Sequence, residues 1–204
     1  MSDIFLHGIQ NVTVDDGARP ITTVRSSTIG LIGSAPEADP LIFPLNKPVL
    51  IAGSRTLAAK LGETGTLPQA LDSIFDQIGA VVIVVRIDEE ETAPATLANV
   101  IGGVDANTGT YEGVHAFLAS ENITGFVPKI LIAPGFTHTR TEAVGETPAT
   151  SNPVVAELIG IAERLKAVIV ADGPNTNDAD AIAYSEDFGS KRVFLVGPKV
   201  LKSV

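Results

Sequence analysis

From Ile21 onward, short unbroken apolar runs alternate with stretches in which apolar residues recur every three or four positions. The first pattern predicts strands buried on both faces and the second predicts helices with one apolar stripe. Their alternation predicts an α/β fold, with a mainly parallel sheet flanked by helices. Strands are expected at residues 27–32, 49–52, 81–87, 130–133, 167–171 and 193–196. Ser54 is placed to cap a short helix that Gly62 ends, because its hydroxyl can accept a first-turn N–H and glycine tolerates the conformation beyond a helix end. Thr66 is the expected cap of the next helix, whose stripe is Leu67, Leu71, Ile74, Phe75 and Ile78. Thr92 with Pro94 opens a third, carrying Leu97, Val100 and Ile101, and a short helix is expected within residues 111–120. Asn152-Pro153 supplies a cap and a first-turn proline ahead of Val154, Leu158, Ile161 and Leu165. A last helix is expected over residues 177–190.

Residues 1–20 break this rhythm. Ile9, Val12 and Val14 are spaced among polar residues, and Asp16-Gly17 and Arg19-Pro20 are turn signals. The segment reads as an extended N-terminal arm ahead of an α/β portion, residues 21–204. Such an arm cannot bury its apolar side chains alone, so it pairs with its own sheet or with another chain. Residues 137–151, rich in Thr, Gly, Glu and Pro, read as an exposed loop and a site for proteolytic nicking.

Composition narrows the function classes. The 204 residues carry 14 Lys+Arg against 24 Asp+Glu, a net charge of −10. Phosphate backbones repel such a surface, so no nucleic-acid partner is expected. Apolar residues make up 45% and aromatics 5%, enough for a core built from Ala, Val, Ile and Leu. With no cysteine, disulfides, thiolate metal sites and a cysteine nucleophile are excluded. No run approaches the roughly 20 apolar residues of a membrane-spanning helix, so no membrane insertion is expected. The start, Met1-Ser2-Asp3-Ile4-Phe5-Leu6-His7, lacks the basic and apolar regions of a secretory signal.

The positions that could carry chemistry each have a plainer structural reading. Gly30-Leu31-Ile32-Gly33-Ser34-Ala35-Pro36 has the strand-turn form of a nucleotide loop, but it lacks the third glycine of a dinucleotide site and the Gly-Lys-Ser/Thr of a P-loop. Pro36 also removes an N–H that a phosphate cradle would use. Ser54 lies in no nucleophile elbow. His7, His115 and His138 show no ligand spacing, and Asp88-Glu89-Glu90-Glu91 reads as a solvated helix start rather than a calcium loop. Asp172-Gly173-Pro174-Asn175-Thr176-Asn177 follows a strand at the sheet's ligand-binding edge, yet a turn and a helix cap account for it. No catalytic residue, cofactor site or metal ligand is expected.

Taken in order, the stretches Gly30 to Pro36, Phe43-Pro44-Leu45-Asn46-Lys47-Pro48-Val49-Leu50-Ile51, Gly65-Thr66-Leu67, Ile132-Ala133-Pro134-Gly135, Asp172-Gly173-Pro174-Asn175 and Phe188-Gly189-Ser190-Lys191-Arg192 resemble the N-terminal half of tail sheath proteins of contractile-tailed bacteriophages and R-type pyocins. The resemblance implies a structural subunit of a contractile tail sheath, which polymerises around a tail tube and contracts to drive it through a target envelope. It implies no enzyme activity and no cofactor. Its partners would be neighbouring copies, through strand addition by the arm that carries Ile9, Val12 and Val14, and the tail tube and baseplate in the full-length protein. Its place would be the virion tail or pyocin particle, made in the bacterial host cytoplasm. Family members are longer, and their tube-facing, arm-receiving C-terminal domain would follow Val204. The alternative class is an α/β enzyme binding a nucleotide or phosphometabolite at the loops after Ile32, Ile51 and Ala171; a module decorating the outside of a tail is a third.

Overall fold

The computed structural model describes residues 27–141 and 150–197; the arm with Ile9, Val12 and Val14 lies outside them. Chain order runs β1 (Ile29–Ser34), β2 (Pro48–Ala52), α1 (Arg55–Ala58) with a 3-10 turn (Ala59–Leu61), α2 (Thr66–Gln77), β3 (Val81–Ile87) and α3 (Ala93–Ile101). A small hairpin of β4 (Gly103–Val104) and β5 (Tyr111–Glu112) follows, then a 3-10 stretch (Gly113–Ala119) leading into α4 (Ser120–Thr124). The remainder is β6 (Ile130–Ile132), α5 (Pro153–Leu165), β7 (Val168–Asp172), α6 (Asp178–Glu186) and β8 (Val193–Val196).

The main sheet has the order β2-β3-β1-β6-β7-β8. Its strands are parallel except β2, which runs antiparallel to β3 at one edge. The α/β class with a mainly parallel sheet is therefore the observed one. Setting β2 aside, the parallel strands stand in the order second, first, third, fourth, fifth, a doubly wound arrangement whose direction reverses between β1 and β6.

Side-chain alternation splits the core into two layers. On one face, Ile32, Val85, Leu131, Ile169 and Ala171 pack against Val100 of α3, Phe117 of the long 3-10 stretch, and Val154, Leu158 and Ile161 of α5. On the other, Leu31, Val82 and Val84 pack against Leu67, Leu71 and Phe75 of α2, with Ala58, Leu61 and Phe43 closing the sides. Strands buried on both faces need apolar residues at consecutive positions, which is why β3 reads Val-Val-Ile-Val-Val.

The predicted strands all form, and Ser54, Asn152 and Asn177 each cap a helix through the side chain. Four expectations need correction. Thr66 is the first residue of α2 rather than its cap; Gly65 occupies that position and Thr66 is engaged elsewhere. Residues 111–120 begin as strand and then wind as 3-10 from Gly113, whose φ of 57° and close approach to the carbonyls of Val100 and Asn99 leave no room for a Cβ. The last helix ends at Glu186, after which Asp187 and Phe188 continue only as turns. Residues 137–141 are exposed only in part: Thr139 and Thr141 are exposed, but Thr137 is buried, its hydroxyl accepts from Asp172 N at 3.0 Å, and its carbonyl accepts from the Tyr184 hydroxyl. Of the loop expected to be a nick site, residues 137–151, residues 142–149 lie outside the described ones.

Candidate functional site

In a doubly wound sheet, ligands enter at the carboxyl ends of the strands where the order reverses, here between the loops after β1 and β6. The chain fills that crevice with its own side chains. Gly33 has no room for a Cβ, which would lie 2.2 Å from Thr66 Oγ1 and 3.3 Å from Leu67. Ser34 N donates to Thr66 Oγ1 at 3.1 Å, and Ser34 Oγ accepts from Thr66 N at 3.4 Å. The first N–H of α2, a group that would otherwise face an anion, is thus directed at Ser34, and Pro68 in the same turn has none to offer. Gly30 is equally explained by packing, since a Cβ there would stand 2.9 Å from Phe117, Leu131 and Pro128. Both glycines of the nucleotide-like motif serve close approach between elements. Arg86, at the far end of β3, donates to the carbonyls of Phe43 at 2.7 Å and Ala35 at 3.4 Å, holding the loop after β1 against the sheet.

The loop after β7 is the other candidate edge. Gly173 N donates to Val196 O at 2.8 Å, turning the chain across β8, and Asn177 accepts from Asp180 N at 3.0 Å. A hollow of about 390 Å3 lies among His138, Arg140, Pro174, Asn175 and Asp180. Arg140 is committed to Asp187, at 2.7 Å, and Asp178 and Asp180 make the start of α6 acidic, so the hollow is unsuited to a phosphate. Burial, reinforced by Asp187 and Asp172, pushes the Tyr184 hydroxyl's ionisation well above its ordinary value, and that hydroxyl acts as a structural donor. His115 pairs with Glu157 at 2.9 Å on the α5 side, far in the chain from His138. Among the described residues no three His, Asp or Glu side chains converge as a metal site, and no helix is long and apolar enough to cross a membrane. Residues 88–91 are exposed, and their backbone is pinned by Thr96 and Asn99 of α3.

Among the described residues, β2 and β8 are the outer strands, each with one side of its hydrogen-bonding ladder free, and Phe194 on β8 is 56% exposed. Residues 26–87, the segment from the start of β1 to the end of β3, match the family profile described as tail sheath protein Gp18 domain III N-terminal region. The chain is 35% identical over 209 residues to the tail sheath protein of Escherichia phage P2, covering 98% of this chain and 49% of that protein. It is homologous to tail sheath proteins. A Pseudomonas aeruginosa (strain UCBPP-PA14) protein assigned as a prophage major tail sheath protein is 38% identical over 96% of this chain and 47% of its own length. The major tail sheath protein of Serratia phage KSP20 is 34% identical over 98% and 49%. The chain thus spans about half the length of the sheath relatives it matches.

The contacts that organise these loops, made by Thr66, Arg86, Thr137 and Tyr184, were not read from the sequence, which marked Thr66 only as a helix cap. Their partners lie 32 to 51 positions away, beyond the reach of any local pattern. One signal was present: Arg86 interrupts an otherwise apolar strand, and a charge placed there demands a partner.

Proposed function

We propose that this chain is part of a tail sheath subunit, a structural and non-enzymatic protein that polymerises around a tail tube and contracts to drive it through a target envelope. The observation that carries the reading is the alignment of 96–98% of the chain with sheath proteins. The self-filled crevice between β1 and β6 supports it, since the site an α/β enzyme would use holds Thr66. Residues 1–20 act as an arm and residues 21–204 as the α/β portion. The arm adds a strand to a neighbouring copy, using the alternate apolar side chains of Ile9, Val12 and Val14, while contacts to the tube and baseplate belong to the remainder of a full-length subunit. Its place is the virion tail or a pyocin-like particle.

The test separates folding from assembly. Deleting residues 1–17 leaves the melting temperature of the 204-residue chain nearly unchanged, and in a full-length sheath protein carrying this sequence it prevents sheath formation in electron micrographs. Normal sheaths from the deleted protein would overturn the arm's role, and unfolding of the 204-residue chain would make the segment an internal strand instead.

A further inference from the structure

Charge is divided between the two ends of the sheet. At the amino ends of β6, β7 and β8 the loops converge on cations. Lys129, just ahead of β6, donates its amine to Leu165 O at 2.6 Å. Arg192, ahead of β8, donates to Ala167 O at 3.1 Å and pairs with Glu163 at 2.9 Å. Those two carbonyls flank Lys166, which is exposed together with Arg164 and Lys191. Lys166 also holds φ 54° at the end of α5, the left-handed region where a helix end ordinarily places glycine. A lysine kept there against its backbone preference points to a use for its charge.

The carboxyl ends carry the opposite sign. Asp88-Glu89-Glu90-Glu91 is exposed after β3, and Glu37, in the loop after β1, accepts from Glu63 N at 3.0 Å. Asp178 and Asp180 open α6 after β7. Of the bases at this end, Arg86 is held by the carbonyls of Phe43 and Ala35 and Arg140 by Asp187, while Lys47 and Lys60 offset the acids only in part. The seven residues of β3 put roughly 20 Å between the two ends, beyond the screening length of about 8 Å in physiological salt, so neither end neutralises the other within one copy. We infer that the cationic end of one copy binds the acidic end of the next, with Arg164, Lys166 and Lys191 set against residues 88–91. The choice of a second copy as occupant rests on the proposed sheath reading; the division of charge does not. Because the two surfaces differ and lie at opposite ends, the contact is head-to-tail and propagates along a row instead of closing as a dimer. Exposed pairs of this kind set orientation and encounter more than tightness.

The test is carbodiimide cross-linking, which joins a carboxylate to an amine in direct contact without a spacer. A concentrated mixture of isotopically light and heavy copies of the 204-residue chain should yield peptides joining Lys166 or Lys191 to residues 88–91, with light-heavy pairs among them, since the two ends are too far apart to be linked within one molecule. Their yield should fall at least about fivefold in molar salt, where the screening length is about 3 Å. Lys166→Gly separates surface from fold: relief of the left-handed backbone should raise the melting temperature, while loss of the charge lowers the yield of Lys191 links at least about twofold. An unchanged yield in that variant would overturn the role of Lys166. Links between copies that join other residues and not these would overturn the inference and leave the sheath reading standing. No link between copies would also overturn it, and the sheath reading would then be judged separately, by whether a full-length protein carrying this sequence forms sheaths in electron micrographs.

Discussion

The units β6–α5–β7 and β7–α6–β8 follow one plan, in which a parallel strand leads through an asparagine-capped helix to the next parallel strand. Helix α5 buries Val154, Val155, Leu158, Ile161 and Ala162, so the first unit is built around its helix. Helix α6 buries only Tyr184 and leaves Ile182 59% exposed. Its sequence, Asp-Ala-Asp-Ala-Ile-Ala-Tyr-Ser-Glu, has helix-forming alanines and a good cap but no apolar stripe. What holds it are discrete links: the Tyr184 hydroxyl on Thr137 O, the ring against Phe188 with centroids 5.0 Å apart, and Asp187 with Arg140. The same topology is thus stabilised by area in one unit and by point contacts in the next, and β8, the strand beyond the second unit, leaves Phe194 and Val196 exposed among the described residues.

The largest expected effect comes from breaking the area-stabilised unit. Leu158→Ala should cost about 2–5 kcal/mol, the range for deleting a fully buried leucine side chain, whereas Ile182→Ala should change stability by no more than about 0.5 kcal/mol. Urea denaturation of the two variants checks this. Similar costs would mean that α6 packs on something its exposure does not reveal.

The two caps sharpen the comparison, because residue type and helix position are the same. Asn152 is buried; it accepts from Val155 N at 3.0 Å and donates to the carbonyls of Phe136 at 2.9 Å and Thr139 at 2.7 Å. Asn152→Ala therefore removes a cap, worth about 1 kcal/mol, and strands two acceptors, for a total of about 2–4 kcal/mol. Asn177 is exposed and serves only Asp180, so Asn177→Ala should cost about 0.5–1 kcal/mol. Asn152→Asp keeps the cap and loses the donors; if it were as stable as the unmodified protein in thermal melts, the two carbonyls would not matter and the distinction between the caps would collapse.

These pairs also mark how far the sequence could be read. Strands and caps were legible because their signals are local: a Val/Ile run for β3, an Asn-Pro for α5, an Asn ahead of an acidic first turn for α6. The antiparallel direction of β2 was not, since Pro48 to Ala52 carries the same apolar run in either direction. Nor was the occupant of the crevice between β1 and β6. Gly30 and Gly33 could be noticed from sequence, but their cause, Phe117 and Thr66, became visible only once the chain had brought distant segments together. The nucleotide-like motif reads from sequence as a tight turn after a buried strand, on the strength of Pro36 and a missing third glycine. The structure supplies a further reason, which is that the space is already taken. The arm residues Ile9, Val12 and Val14 remain a proposal about assembly.

The smallest of the three effects concerns the point contact that anchors α6. Tyr184→Phe keeps the ring against Phe188 and removes only the hydroxyl that donates to Thr137 O, so it should cost about 1–2 kcal/mol at neutral pH, the range for leaving one buried acceptor unpaired. The alkaline limb makes the prediction specific. Burial, then the charges of Asp187 and Asp172, raises the ionisation of Tyr184 in the folded protein above the ordinary value of 10.0, whereas in the unfolded chain the group titrates near that value. Above pH 10 the unfolded state therefore releases its proton first, and the folded state is disfavoured as pH rises. The stability contributed by the neutral hydroxyl is fully present below about pH 10 and declines as pH climbs from there toward the raised folded value. Urea melts between pH 8 and pH 11 should show the unmodified protein losing stability more steeply than Tyr184→Phe above pH 10, so that the gap between them narrows. Parallel profiles across that range would mean that the hydroxyl is as free to ionise in the folded state as in the unfolded one, and α6 would then need another anchor.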